Sequence, residues 1–116
     1  MTTSKDIGLS YARLAGADLT TALNKFAMVD TNGNIILATA AAKVLGTIIE
    51  ENNINYPVTV QYGGQGKVIV GAGGAITAGA LINSDALGLA AAGATNAVGV
   101  ALTGGAVGTV IEFAFA

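Results

Sequence analysis

The chain has 116 residues, no Cys, His or Trp, and five Lys/Arg against seven Asp/Glu, for a net charge of −2. That length suits one domain of ordinary size. The missing residue types exclude a disulfide framework, a thiolate nucleophile, an imidazole base and the common zinc sites. Mild acidity without a basic run argues against nucleic acid as a partner, which leaves a structural or binding module.

Ile7–Arg13 alternates, with Ile7, Leu9, Tyr11 and Arg13 on one face and Gly8, Ser10 and Ala12 on the other, as an extended strand requires. Asp18 is placed to cap a short helix through Thr20, Leu23 and Asn24. From Phe26 onward the pattern is β. Phe26–Val29 and Ile35–Leu37 flank Asp30-Thr31-Asn32-Gly33-Asn34, and Asn-Gly between apolar runs is a hairpin signal because both residues tolerate positive φ. Val44–Glu50 reads as the next strand and Glu51-Asn52-Asn53 as a polar loop. Pro57 opens a strand with Val58, Val60 and Tyr62 alternating. Gly63-Gly64-Gln65-Gly66 is a turn, Lys67–Val70 a short strand, Gly71-Ala72-Gly73-Gly74 a break and Asn83-Ser84-Asp85 another turn. Short strands between Gly-rich turns indicate a sandwich or small barrel.

The chain divides into a segment 1–25 and a β domain 26–116. Within the latter, an internal match at an offset of 53 suggests two half-repeats, 26–62 and 79–115. Ala27 aligns with Ala80, Val29 with Ile82 and Ala38 with Ala91. Leu45-Gly46 aligns with Val98-Gly99, and Val58–Tyr62 with Ile111–Phe115. The second half has lost charges and gained Ala and Gly.

Ala (23) and Gly (17) together make up about a third of the chain, the hydrophobic fraction is 53%, and no charge lies between Ala86 and Ile111. Mean hydropathy is +0.65. That uncharged stretch is long enough to cross a bilayer, yet a membrane span fits it poorly. Gly88, Gly93, Gly99, Gly104, Gly105 and Gly108 each cost a helix up to about 1 kcal/mol relative to Ala, and no Lys or Arg after Lys67 could orient it. Met1–Asp6 leads into no continuous apolar core, so a signal peptide is not expected either. The excess apolar surface is expected to be hidden in an oligomer or on a larger assembly, without membrane or nucleic acid.

No motif carries catalysis. Val68–Gly74 resembles a dinucleotide-binding turn only superficially, because Ile76 stands where the third glycine belongs and no helix follows. Gly66-Lys67 lacks the rest of a P-loop. Glu50 and Glu51, adjacent on a strand, would face opposite ways and form no acid/base pair. Asp30, Asn32 and Asn34 start like a calcium loop, but Gly33 is at the wrong position and Ala41 stands where Glu is needed. The expectation is therefore no enzyme, no catalytic residue, no cofactor and no metal.

The stretch from Phe26 to the C-terminus resembles the decoration (cement) proteins of tailed-phage heads, of the lambda type. The residues that carry this are Ala27-Met28-Val29-Asp30 leading to Gly33, Lys43–Ile48, Val58–Tyr62, Gly66-Lys67-Val68, Ile76–Ile82, Val98–Ala101 and Gly108–Glu112, about 90 residues in all. The resemblance implies an all-β, β-tulip-like or small-barrel domain with an extended N-terminal arm and at most one or two short helices. It also implies a homotrimer on the outer surface of the capsid, clamping neighbouring major capsid subunits. On this reading Ile7, Leu9, Tyr11, Arg13 and Leu14 form the capsid-binding arm, since an alternating extended segment suits strand addition. Ile111, Phe113 and Phe115 pack the subunit core or the oligomer axis. Two rival classes are a cell-surface adhesin-like β module, which calls for an export signal or anchor, and a lipoyl-type carrier, which needs Lys67 at a hairpin tip.

Overall fold

The structure, a computed structural model, describes residues 9–116. Among these, ten strands form two antiparallel sheets and there is no helix. The first sheet contains β1 (Ser10–Leu14), β2 (Phe26–Val29), β3 (Ile35–Leu37), β4 (Gly46–Glu50) and β5 (Pro57–Gln61), in the order β1-β5-β4-β2-β3. The second contains β6 (Gln65–Ile69), β7 (Leu81–Ser84), β8 (Ala90–Ala92), β9 (Gly99–Ala101) and β10 (Val110–Phe115), in the order β6-β10-β9-β7-β8.

Each sheet curls until its edges meet. The residue after β1, Ala15, bridges Ile35 in parallel fashion, and Val70 after β6 bridges Ala90 in the same way. The Gly16 amide donates to Ile35 O at 2.7 Å and the Gly71 amide to Ala90 O at 2.8 Å. Two small barrels result, one per half of the chain, and closure protects edges that would otherwise invite pairing. The whole measures 37 × 35 × 22 Å.

Period-two alternation explains the inner faces. Val58 and Val60 of β5 point inward with Ile48 of β4, Ala27 of β2 and Ile35 of β3, and Ala15, Leu19 and Ala22 complete this first core. Val68, Ile82, Ala90, Ala101, Ile111 and Phe113 build the second. Burying each Val, Ile or Phe side chain contributes about 1.5–3 kcal/mol. Gly46 and Gly99 make the tightest approaches to backbone: a Cβ at either would run into the carbonyl of Gln61 or Ala114 on the neighbouring strand. Only glycine fits there.

The first sheet's hydrogen bonds recur in the second, register by register. Asp30 Oδ1 accepts from the amides of Asn32 and Asn34, and Asp85 Oδ1, 55 residues later, accepts from those of Leu87 and Leu89. Gly33 and Gly88 close the two turns at φ 78° and 76°, where glycine is preferred. The offset is 55 up to Ala42 and Ala97, whose amides donate to Thr39 O and Ala94 O, and 53 from Leu45 and Val98, whose amides donate to Ala27 O and Ile82 O. Lys43-Val44 thus marks two extra residues in the first half. The offset of 53 read in the sequence holds for Gly46 with Gly99 and Val58–Tyr62 with Ile111–Phe115. Upstream, Ala27 corresponds to Ile82 and Ala38 to Gly93.

Several local expectations are corrected. The helix capped by Asp18 does not form. Two separate turns take its place, with the Ala22 amide on Leu19 O and the Lys25 amide on Ala22 O, and Asn24 at φ 61° ends any helical run. Asp18 instead accepts from the Thr20 hydroxyl and amide, and these hydrogen bonds, hydroxyl first, hold its carboxyl below the ordinary value. β4 begins at Gly46, not Val44. Gln65 and Gly66 belong to β6, so the turn between the halves is shorter than read. Asn83 and Ser84 are strand, not turn, because they pair with Ala91 and Ala90 of β8, while Asn83 Nδ2 finds Thr95 O at 3.1 Å and Ser84 Oγ finds Asp85 O at 2.8 Å. The uncharged stretch 86–111 holds β8, β9 and the start of β10. Among the described residues no helix is long and apolar enough to cross a membrane.

Candidate interaction surfaces

Among the described residues no group of three or more His, Cys, Asp or Glu could hold a metal ion. Asp30 is occupied by its own turn. Glu50 accepts from Thr59 Oγ1 at 2.6 Å across the strand pair, and Glu51 follows in the exposed loop. Lys67 lies inside β6 opposite Glu112, not at a hairpin tip, so a lipoyl-type attachment site is not presented.

Of the arm residues, Ile7 lies outside the described residues. Leu9 is half-buried and its carbonyl accepts from the Tyr62 amide at 2.8 Å. Tyr11, Arg13 and Leu14 lie on β1, in register with Val60, Val58 and Pro57. Ser10–Leu14 is therefore a strand of the first sheet, and the segment 1–25 continues through Ala15, Leu19 and Ala22 into its core. Arg13 Nε donates to Gly33 O at 2.7 Å, and Leu14 is 47% exposed. In β1, alternate backbone groups face β5, and the Ala15 amide faces that way, donating to Tyr56 O. The Leu14 amide points instead toward the sheet edge. A groove lined by Leu9, Ser10, Ile49 and Gln61 opens beside the start of β1.

Ile111 and Phe113 are buried in the second core, and Phe115 packs partly buried against it. Phe113 stacks near Phe115 with centroids 4.7 Å apart and meets Phe26 edge-on at 5.7 Å. Phe26 belongs to the other half. It sits on the outer face of β2, yet is fully buried, because the second barrel packs over it together with Ala38.

Main-chain hydrogen bonds frame this apolar contact between the halves. The Phe26 amide donates to Gly88 O at 2.6 Å, the Ile69 amide to Asn24 O at 2.9 Å and the Ala41 amide to Ser84 O at 2.8 Å. Asn96 Nδ2 adds a bond to Ala41 O at 2.9 Å. The extra residues Lys43 and Val44 line a cleft against Asn96, Ala97 and Val98. On the outer face of the first sheet Ser10, Gln61, Thr47 and Phe26 stand in register, and the Thr47–Phe26 end of this row is covered while Ser10 is exposed. The counterpart row in the second sheet is Gln65, Ala114, Val100 and Leu81. There Leu81 is 46% and Val100 37% exposed, whereas Thr47 and Phe26 are fully buried. The sequence alone did not mark this asymmetry. The signal available was the second Asp-x-x-Gly, Asp85 to Gly88, which aligns Phe26 with Leu81.

No model of a known protein family matches the chain, and no curated protein sequence matches it. Among solved structures, the fold is similar to one described as the crystal structure of the head fiber gp8.5 N base in bacteriophage phi29. The TM-score is 0.74 at 13% identity, over 92% of this chain and 92% of that one. At that identity, what the two chains share is the all-β architecture.

Proposed function

We propose that the chain is a structural component of a tailed-phage virion, placed on the outer surface of the head, where it binds neighbouring major capsid subunits and holds them together. The observation that carries this reading is the fold match, end to end, to the base of a phage head fiber. The resemblance of Phe26–Ala116 to head decoration proteins points the same way. Exposed apolar side chains, among them Leu14, Leu81 and Val110, offer surface for such contacts.

In this role Leu9, Tyr11, Arg13 and Leu14, with Ile7 preceding them, contact the shell, and the chain acts as a homotrimer. Ile111, Phe113 and Phe115 keep the subunit rigid. A protein that binds only the assembled shell stabilises that state by mass action, and many copies multiply the effect. The test is co-sedimentation with empty shells assembled from a tailed-phage major capsid protein. Saturable binding to shells, with none to unassembled subunits, is expected; failure to bind shells, or equal binding to both, overturns the reading. Because Ser10–Leu14 is β1, the arm is tested by removing only residues 1–8, which should weaken shell binding by at least about tenfold.

A further inference from the structure

We propose that copies of this chain associate head to tail, by repeating between molecules the contact that joins the two halves within one molecule. The inference rests on the self-association reading above and gives it a specific surface. Its starting point is the row Leu81 and Val100, which the described residues leave exposed, although the corresponding Phe26 and Thr47 are buried by the second half.

The internal contact supplies the geometry. Its donors and acceptors are backbone atoms of Asn24, Phe26 and Ala41 on one side and of Ile69, Gly88 and Ser84 on the other. Moving each residue to its counterpart in the other half gives Gly79, Leu81 and Asn96 on the exposed face of one copy. It gives Leu14, Gly33 and Val29 on the receiving face of the next. Gly79 and Asn96 hold positive φ of 90° and 50°, as Asn24 and Ala41 do at 61° and 53°, so the backbone is already shaped for the same bonds. The receiving face is equally prepared. Leu14, at 47% exposure, presents its amide at the sheet edge, Val29 is 41% exposed, and the Gly33 turn has the geometry of the Gly88 turn. Arg13 already donates to Gly33 O. A carbonyl has two acceptor sites, so the Leu81 amide can bond there too. The Arg13 stem then covers Leu81 as the second core covers Phe26.

Such a contact joins two different faces, so it must close into a ring or run on as a filament. A ring of n copies contains 2n equivalent barrels, and the trimer proposed above is a ring of six. The occupant of the exposed face is a second copy, because its complement is present on the same chain.

The chain has no Cys, which makes the test clean. Leu81→Cys and Leu14→Cys are prepared as separate proteins, both at exposed positions, and treated with a short thiol cross-linker. Mixed together they should give cross-linked pairs, and each alone should give none. Pairs from Leu81→Cys alone mean the two exposed faces meet each other, which overturns the proposal. So does light scattering that finds a monomer of 11.3 kDa at every concentration up to millimolar. Leu81→Asp should raise the dissociation constant at least about tenfold with an unchanged circular dichroism spectrum. All of these measurements use the free chain without capsid. A chain that binds shells but gives no mixed cross-links overturns the ring and leaves the virion role standing; the converse overturns only that role.

Discussion

The two halves of the molecule reach the same geometry from unlike sequences. The first carries nine of the twelve charged residues, with polar loops, and the second is mostly Ala, Gly and Val. Their turns nevertheless match at Asp30 and Asp85, at Gly33 and Gly88, and at Gly46 and Gly99. The common requirements are therefore few. A carboxylate must organise the hairpin, a glycine must close it, and a second glycine must let strands approach. Where the halves differ is the outer row, Phe26 and Thr47 against Leu81 and Val100, which one half covers and the other leaves open.

The strongest way to break this comparison is at the residue through which the halves touch. Phe113→Ala opens the second core and removes the edge-on partner of Phe26, so it should lower the unfolding free energy by about 3–5 kcal/mol in urea titration. Val60→Ala, its counterpart in the first sheet, removes only two methyl groups and should cost clearly less. Equal losses would mean that Phe113 serves its own barrel alone. The equivalence of the turns is sharpened by Asp30→Ala and Asp85→Ala. Each leaves two amides without their acceptor and should cost about 1–3 kcal/mol. Thermal melts that differ between the two by more than about 1 kcal/mol would show that the turns carry unequal shares of their sheets. The smallest effect is a gain. Thr47 Oγ1 is buried with no hydrogen-bond partner among the described residues, and its counterpart is Val100. Thr47→Val keeps the shape and removes the unmet hydroxyl, so it should add about 1 kcal/mol and raise the melting temperature by about 4 °C. The reverse change at exposed Val100 should stay within about 0.5 kcal/mol.

Much of the fold was legible because it rests on local chemistry. Phe26–Val29 and Ile35–Leu37 were bounded by a turn whose residues require it, and Val58–Val60 showed its alternation plainly. The Asp18 segment forms turns where a helix is expected because an N-cap signal is equally an Asx-type turn signal. Asn83 and Ser84 carry a turn-forming composition, and only pairing with Ala91 and Ala90 on β8, a non-local contact, makes them strand. The interaction surfaces were less legible. Whether Phe26 or Leu81 is covered depends on where the other half lands, and periodicity along the chain gives the same alternation to both.

The bonds between the halves run from amide to carbonyl at Phe26 and Gly88, Ile69 and Asn24, and Ala41 and Ser84. Every residue type except proline can supply an amide, and every residue supplies a carbonyl. These bonds are indifferent to side-chain identity, so the demand on sequence at this contact falls on the few apolar groups packed between the halves, Phe26, Ala38 and Phe113.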